Sequence, residues 1–268
     1  MNDSQRERPS RRRYHPKVVN SMLSLQRLLL RLRVTDLIYF ITAFPLAVLI
    51  VSSILLFNRV EIRGLENLPD RKTGFFLLSN HISTAEAPTI AAYLFPRPFW
   101  FPSKAEFYKG WVSGIGYLLV TALHTFPVRR GERDRSSISL MEDLLRQGQS
   151  VLLFPEGTRS RTGELLPGKK GVGMIIHSVR PPVIPVYVEG FQHIWPAGSL
   201  LPRFGGRDAL ISFGPLVDLS RWWDEEFNKS TAQGIVDDVM GAIADLRDAA
   251  HAEDDGGASG SPPPKPGE

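Results

Sequence analysis

The chain has 268 residues, 43% hydrophobic and 22% charged, a globular composition whose length suits one α/β domain with attachments. It contains no cysteine, which excludes disulfides, thiolate metal sites and cysteine nucleophiles. The formal net charge of +4 points to an anionic partner, either a membrane surface or a phosphate-bearing ligand, and nothing in the pattern suggests nucleic acid.

Residues 1–17 carry Arg6, Arg8, Arg11, Arg12, Arg13 and Lys17 and read as a disordered basic arm. From Val18 to Arg33, Val18, Met22, Leu25, Leu29 and Leu32 recur at helical spacing, with Asn20, Ser24, Arg27 and Arg31 opposite. A basic amphipathic helix beside a cationic arm is a membrane-surface element. The uncharged run from Leu37 to Phe57 is long enough to cross a bilayer, and Pro45 inside it would bend a helix. Arg59, Arg63, Arg71 and Lys72 make its far flank basic as well, so a re-entrant or monotopic hairpin bent near Pro45 is preferred to a single crossing. Residues 18–57 are thus expected to form a helical membrane anchor.

The rest alternates. Strands are expected at 60–64, 74–79, 98–102, 124–128, 150–154, 183–188 and 209–213, and helices at 84–94, 111–119, 133–147, 169–179 and 231–251. Gly148 stands where the helix over 133–147 needs its C-terminal cap. The fold class predicted is α/β, a mostly parallel sheet covered by helices, with the N-terminal helical membrane anchor attached. Residues 252–268, acidic and then rich in Gly, Ser and Pro, read as a disordered tail.

Two stretches follow buried-strand patterns, and ligands gather at the carboxyl ends of parallel strands. The first is Ser79-Asn80-His81-Ile82-Ser83-Thr84-Ala85-Glu86. Glu86 can hold one imidazole nitrogen of His81 and leave the other free as a base. Taken alone, this is also what a surface histidine near a helix-start glutamate looks like. Ser83 lacks the glycine-flanked turn of a nucleophile, so the nucleophile is read as a substrate hydroxyl. The second stretch is Phe154-Pro155-Glu156-Gly157-Thr158-Arg159-Ser160. Its glycine permits close backbone approach and its arginine suits phosphate, though Glu156 and Arg159 could simply pair. Arg129 and Arg130 end another strand, Lys104 starts a further strand-to-loop junction, and Lys169 and Lys170 precede a helix. Each is a candidate anion ligand or a solvated end.

In order along the chain, Asn80-His81 with an acid five residues on, Phe126 to Arg129, Phe154 to Ser160, and Val183-Ile184-Pro185-Val186 resemble the four blocks of the glycerolipid acyltransferases, the family typified by 1-acylglycerol-3-phosphate acyltransferases. The likeness covers about residues 58–215. It implies a domain over 58–251 with its motif core at 73–190. It also implies that His81 is the general base, Glu86 its orienter, and Arg129, Glu156, Gly157 and Arg159 the acceptor site, with Lys104 beside them and Pro185 on the acyl-donor side. The expected reaction moves an acyl group from a thioester of coenzyme A or acyl carrier protein to a lysophospholipid hydroxyl. No metal or resident cofactor is expected. The implied location is the membrane, with the domain facing the cytoplasm, where a lipid acceptor and a soluble donor are both in reach. The family usually has aspartate where Glu86 stands and isoleucine where Pro127 stands. Other readings are a different lysolipid acceptor, metal-dependent hydrolysis through His81, Glu86 and Glu156, and an inactive lipid-binding member of the fold.

Overall fold

The computed structural model describes residues 41, 44–94, 96–104, 124–128, 135–196, 199, 201–203 and 205–258. The basic arm, the helix expected over 18–33, the helix over 111–119 and Arg129 lie outside the described residues. The order is α1 (Phe44–Phe57), β1 (Arg59–Arg63), β2 (Phe76–Ser79), α2 (Glu86–Leu94), β3 (Phe99–Lys104), β4 (Thr125–Val128), α3 (Arg135–Arg146), β5 (Ser150–Leu153), α4 (Gly171–Val179), β6 (Val183–Glu189), α5 (Phe191–Ile194), β7 (Asp208–Phe213) and α6 (Lys229–Ala258).

Seven strands form one sheet in the order β1-β7-β6-β2-β5-β3-β4. Every pairing is parallel except β6 with β7. The expected mostly parallel sheet is therefore present. β2, β5 and β6 are apolar without alternation because both faces are buried. Phe76, Leu78, Val151, Val183 and Tyr187 face the core shared with α3, α4 and α6. Phe75, Leu77, Leu152, Ile184 and Val186 face the opposite core, which takes in Ile54 of α1 and Ala87 and Ile90 of α2. Leu140, Met141, Leu144 and Leu145 are the buried stripe of α3, and the amide of Gly148 bonds to the Leu145 carbonyl where the cap was expected.

Two expectations change. α1 has 14 residues, about 21 Å at 1.5 Å per residue, short of a hydrocarbon core of about 30 Å. Among the described residues no helix is long and apolar enough to cross a membrane. The remainder of the expected anchor, apart from Ile41, lies outside them. The acidic stretch after His251 is also not tail throughout, because α6 continues to Ala258. Tertiary pairing explains this. His251 meets Glu189 at 3.2 Å, Arg63 pairs with Glu253 at 2.6 Å, and Ala250 is buried. The last helical turns are thus tied to β1 and β6, which composition does not reveal.

α4 and α6 meet through Gly173. A Cβ there would stand 1.9 Å from the Ala232 carbonyl oxygen. Gly173→Ala must push the helices apart, and overpacking of this kind costs about 2 kcal/mol. A fall in Tm of roughly 5 °C is expected. Gly171→Ala, where a Cβ meets nothing within 4 Å, should leave Tm within about 1 °C in the same melt.

Candidate active site

β2 and β5 are neighbours in parallel register, with Leu78 opposite Leu153, so the chain leaves both strands at the same edge of the sheet. Two contacts shape the exits. Asn80 is buried and clamps β6: its Nδ2 donates to the Val188 carbonyl at 2.9 Å and its Oδ1 accepts from the Val188 amide at 2.8 Å. The side chain thus continues the ladder where the backbone turns away. The Ser160 amide then donates to the His81 carbonyl at 2.7 Å, stitching the two loops together.

His81 is held from two sides. Its Nδ1 lies 2.6 Å from Glu86 Oε2, and its ring stacks on Phe154 with centroids 3.9 Å apart and planes inclined by 13°. Glu86 is fully buried at the start of α2. Its other oxygen, Oε1, accepts from the amides of Ile82 at 2.6 Å and Ser83 at 2.5 Å. A carboxylate with three donors stays an acceptor, so Nδ1 carries the hydrogen and Nε2 keeps its lone pair. The longer arm of glutamate reaches because Glu86 opens the helix and its carboxylate turns back over the preceding loop. Ser83 is buried and donates its hydroxyl to the Trp195 carbonyl at 2.6 Å, a structural use that fits the reading against it as nucleophile.

Glu156 was expected on the acceptor, and the structure places it differently. It is 2% exposed, does not line the cavity, and neither oxygen makes a full hydrogen bond among the described residues. Burial pushes its pKa up to about 7, against the weaker pull of the Leu166 and His81 amides. The native state therefore keeps a proton between pH 4.5 and about 7 that the unfolded chain has lost. The resulting stability is full below the lower value and is lost as pH rises through the upper one. The whole difference corresponds to about 3 kcal/mol. Glu156→Gln cannot ionise, so its Tm should exceed the parent's at pH 8.5 and match it near pH 4.5. Thermal melts across that range check this, and parallel curves of Tm against pH would remove the argument.

His81, Glu86, Gly157 and Arg159 do come together, around a cavity of about 230 Å³. Gly157 has φ of 65°, the left-handed region, and a Cβ would stand 2.6 Å from Lys169 Nζ, so the turn requires glycine and a second cation lies beside it. Arg159 Nη1 donates to Thr84 Oγ1 at 3.0 Å, not to Glu156, so the pairing left open by the sequence is not formed. The rest of the lining is largely apolar, with Phe101, Val128, Met141, Leu153 and Phe154. Lys104 closes β3 with its backbone paired to Val128. Pro185 is buried within β6 opposite Leu78 and does not line the cavity, so the fourth block forms core. Among the described residues no three His, Asp or Glu side chains gather in a metal-binding arrangement. The sequence did not reveal the Asn80 clamp, the Phe154 stack or the Thr84 contact. Only the position of Asn80 and Phe154 inside the two motifs hinted at them.

A model of the family described as Acyltransferase matches residues 59–189. The chloroplastic 1-acyl-sn-glycerol-3-phosphate acyltransferase BAT2 of Brassica napus is 34% identical over 150 residues, 55% of this chain and 42% of its own. The 1-acyl-sn-glycerol-3-phosphate acyltransferase of Bacillus subtilis is 30% identical over 132 residues, 49% of this chain and 63% of its own. The chain thus spans less than two thirds of the length of these curated relatives. The crystal structure of the 1-acyl-sn-glycerophosphate (LPA) acyltransferase PlsC of Thermotoga maritima matches with a TM-score of 0.55 and 22% identity, over 86% of this chain and 95% of that one. That likeness speaks for the fold. Residues 59–189, with both loops of the site inside them, are similar to the acyltransferase family.

Proposed function

We propose that this chain transfers a fatty acyl group from an acyl thioester to the free hydroxyl of a lysophospholipid, 1-acylglycerol-3-phosphate foremost, as a step of phospholipid biosynthesis. The observation that carries the reading is the His81–Glu86 pair, with Nε2 unclaimed among the described residues, on a cavity lined by apolar side chains and by Arg159.

In this reading Nε2 of His81 takes the proton from the acceptor hydroxyl as its oxygen attacks the thioester carbonyl. The tetrahedral intermediate collapses, the carbon–sulfur bond breaks, and the departing thiolate regains the proton from the imidazolium. Glu86 fixes the tautomer and stabilises the imidazolium. Arg159 takes the acceptor phosphate with its guanidinium fork, and Lys169 adds a second positive charge. Arg129 and Lys104 remain proposed phosphate ligands. Phe101, Val128, Met141 and Leu153 offer a surface for acyl chains. The donor is a thioester of coenzyme A or acyl carrier protein, and no resident cofactor is needed.

The proposed location is a membrane surface on the cytoplasmic side. α1 supports it. Its sequence is apolar all round, and one face packs Val51 and Ile54 into the core. The other leaves Val48, Leu49 and Leu56 exposed with Ile41 just before it, spaced as one stripe. A contiguous exposed apolar stripe is a membrane or partner surface. Thiol release from a long-chain acyl-CoA by the protein in detergent, with and without lysophosphatidic acid, tests the reaction. Acceptor-dependent release is expected. Release independent of acceptor, or none across a panel of lysolipids by folded protein, would turn the assignment toward an inactive lipid-binding member.

A further inference from the structure

The segment after α5 is fastened to the end of α1 at several points. The amide of Gly206 donates to the Phe57 carbonyl at 2.7 Å, and that of Arg207 to Asn58 Oδ1 at 3.3 Å. Arg203 donates its amide to the Ile194 carbonyl at 2.6 Å and accepts from Asn58 Nδ2 at 3.5 Å. The Arg59 amide donates to the Arg207 carbonyl at 2.8 Å. These bonds set Leu201, 74% exposed, beside a last helical turn whose Leu56 and Phe57 are 78% and 49% exposed. Arg59 and Arg203 are exposed and follow these apolar residues closely in the chain, with Asp208 as the nearby counter-charge in sequence. Arg207 Nε is buried and has no partner among the described residues.

We propose that Leu201 and Arg203, with the end of α1, form a second lipid contact that seats the chain on an anionic bilayer surface. The proposal rests on the membrane location given to α1 and adds the element that sets orientation. One apolar helix face fixes an axis but leaves rotation about it free. A second contact off that axis removes the rotation. Exposed apolar side chains accompanied by exposed arginines match the acyl boundary and headgroup phosphates of an anionic leaflet. The seat is linked to the cavity, because the Trp195 carbonyl, at the start of this segment, accepts the Ser83 hydroxyl from the loop of His81. Orientation of the surface contact thereby becomes orientation of the cavity.

The test is co-sedimentation of the full chain with vesicles of phosphatidylcholine alone or mixed with phosphatidylglycerol. The parent should partition more strongly onto the mixed vesicles. Leu201→Glu should lower that partition about tenfold, the scale set by withdrawing one leucine from an apolar environment. Arg203→Glu should lower partition onto the mixed vesicles and hardly change it on the neutral ones. Thiol release with a water-soluble, short-chain lysophosphatidic acid should stay within about twofold of the parent for both, since that acceptor needs no membrane. Leu201 is exposed, so Leu201→Glu should fold, and Leu201→Ser supplies a milder variant with an intermediate loss. Equal partition of parent and Leu201→Glu overturns the proposal. So does a parent that dimerises through this face, shown by light scattering that becomes monomeric in Leu201→Glu. A parent that binds neither vesicle overturns the α1 location with it. Absence of thiol release from a parent that does bind vesicles counts against the acyltransferase reading alone.

Discussion

Replacing His81 by alanine should lower the turnover number for acceptor-dependent thiol release by about 10²–10⁴, the usual contribution of a positioned general base. KM for either substrate should change far less, because the imidazole acts on the reacting proton rather than on the acyl chain or phosphate. The fold should survive. His81 is partly exposed, its main-chain carbonyl still accepts from Ser160, and Glu86 keeps the two amides that hold its carboxylate. The lost stack on Phe154 is the main structural consequence. Turnover within tenfold of the parent, in a variant that melts normally, would remove His81 from the base role.

Glu86→Gln should cost nearly as much through a different cause. The glutamine carbonyl can still accept from Ile82 and Ser83, so the loop keeps its shape. Its amide nitrogen, however, then faces His81 Nδ1 and can only donate. Nδ1 must become the acceptor, the ring hydrogen moves to Nε2, and the lone pair needed to take a proton is gone. The equivalent exchange in serine hydrolases lowers turnover about 10⁴-fold. A loss of about 10³ or more is expected here, with Tm close to the parent's. Glu86→Ala separates the two jobs of this residue, because it strands two buried amides and should also cost about 3 kcal/mol or more of stability. Combining His81→Ala with Glu86→Gln should add little to either single loss, as expected for groups acting as one unit. Full activity in Glu86→Gln would show that tautomer control is not its function.

Strand and helix positions in the domain were legible because parallel strands buried on both faces are unbroken apolar runs and α3 keeps its apolar stripe at helical spacing. Pattern can do this because it reports burial. It could not say how far α6 runs, since Arg63–Glu253 and His251–Glu189 join residues far apart in the chain. The same limit applied to Glu156. The family resemblance put it on the acceptor with Gly157 and Arg159, yet in the turn after β5 the glycine and arginine reach the cavity while the glutamate is buried and does not line it. Neighbours in a turn share an address but not a direction.

The sequence by itself determined the class of fold, the two loops that make the site, and the pairing of His81 with Glu86. The fold class and the loops follow from local pattern, strand exits carrying reactive side chains, while the pairing, left open by the spacing alone, followed from the resemblance of the motifs to a known family. Only the tertiary structure decided which residues share the cavity. The side-by-side placement of β2 and β5 joins two segments separated by well over half the motif core, and the pairing of β2 with β6 leaves Pro185 in the core. Strand order depends on which faces pack together, and that is a property of the whole sheet rather than of any stretch within it.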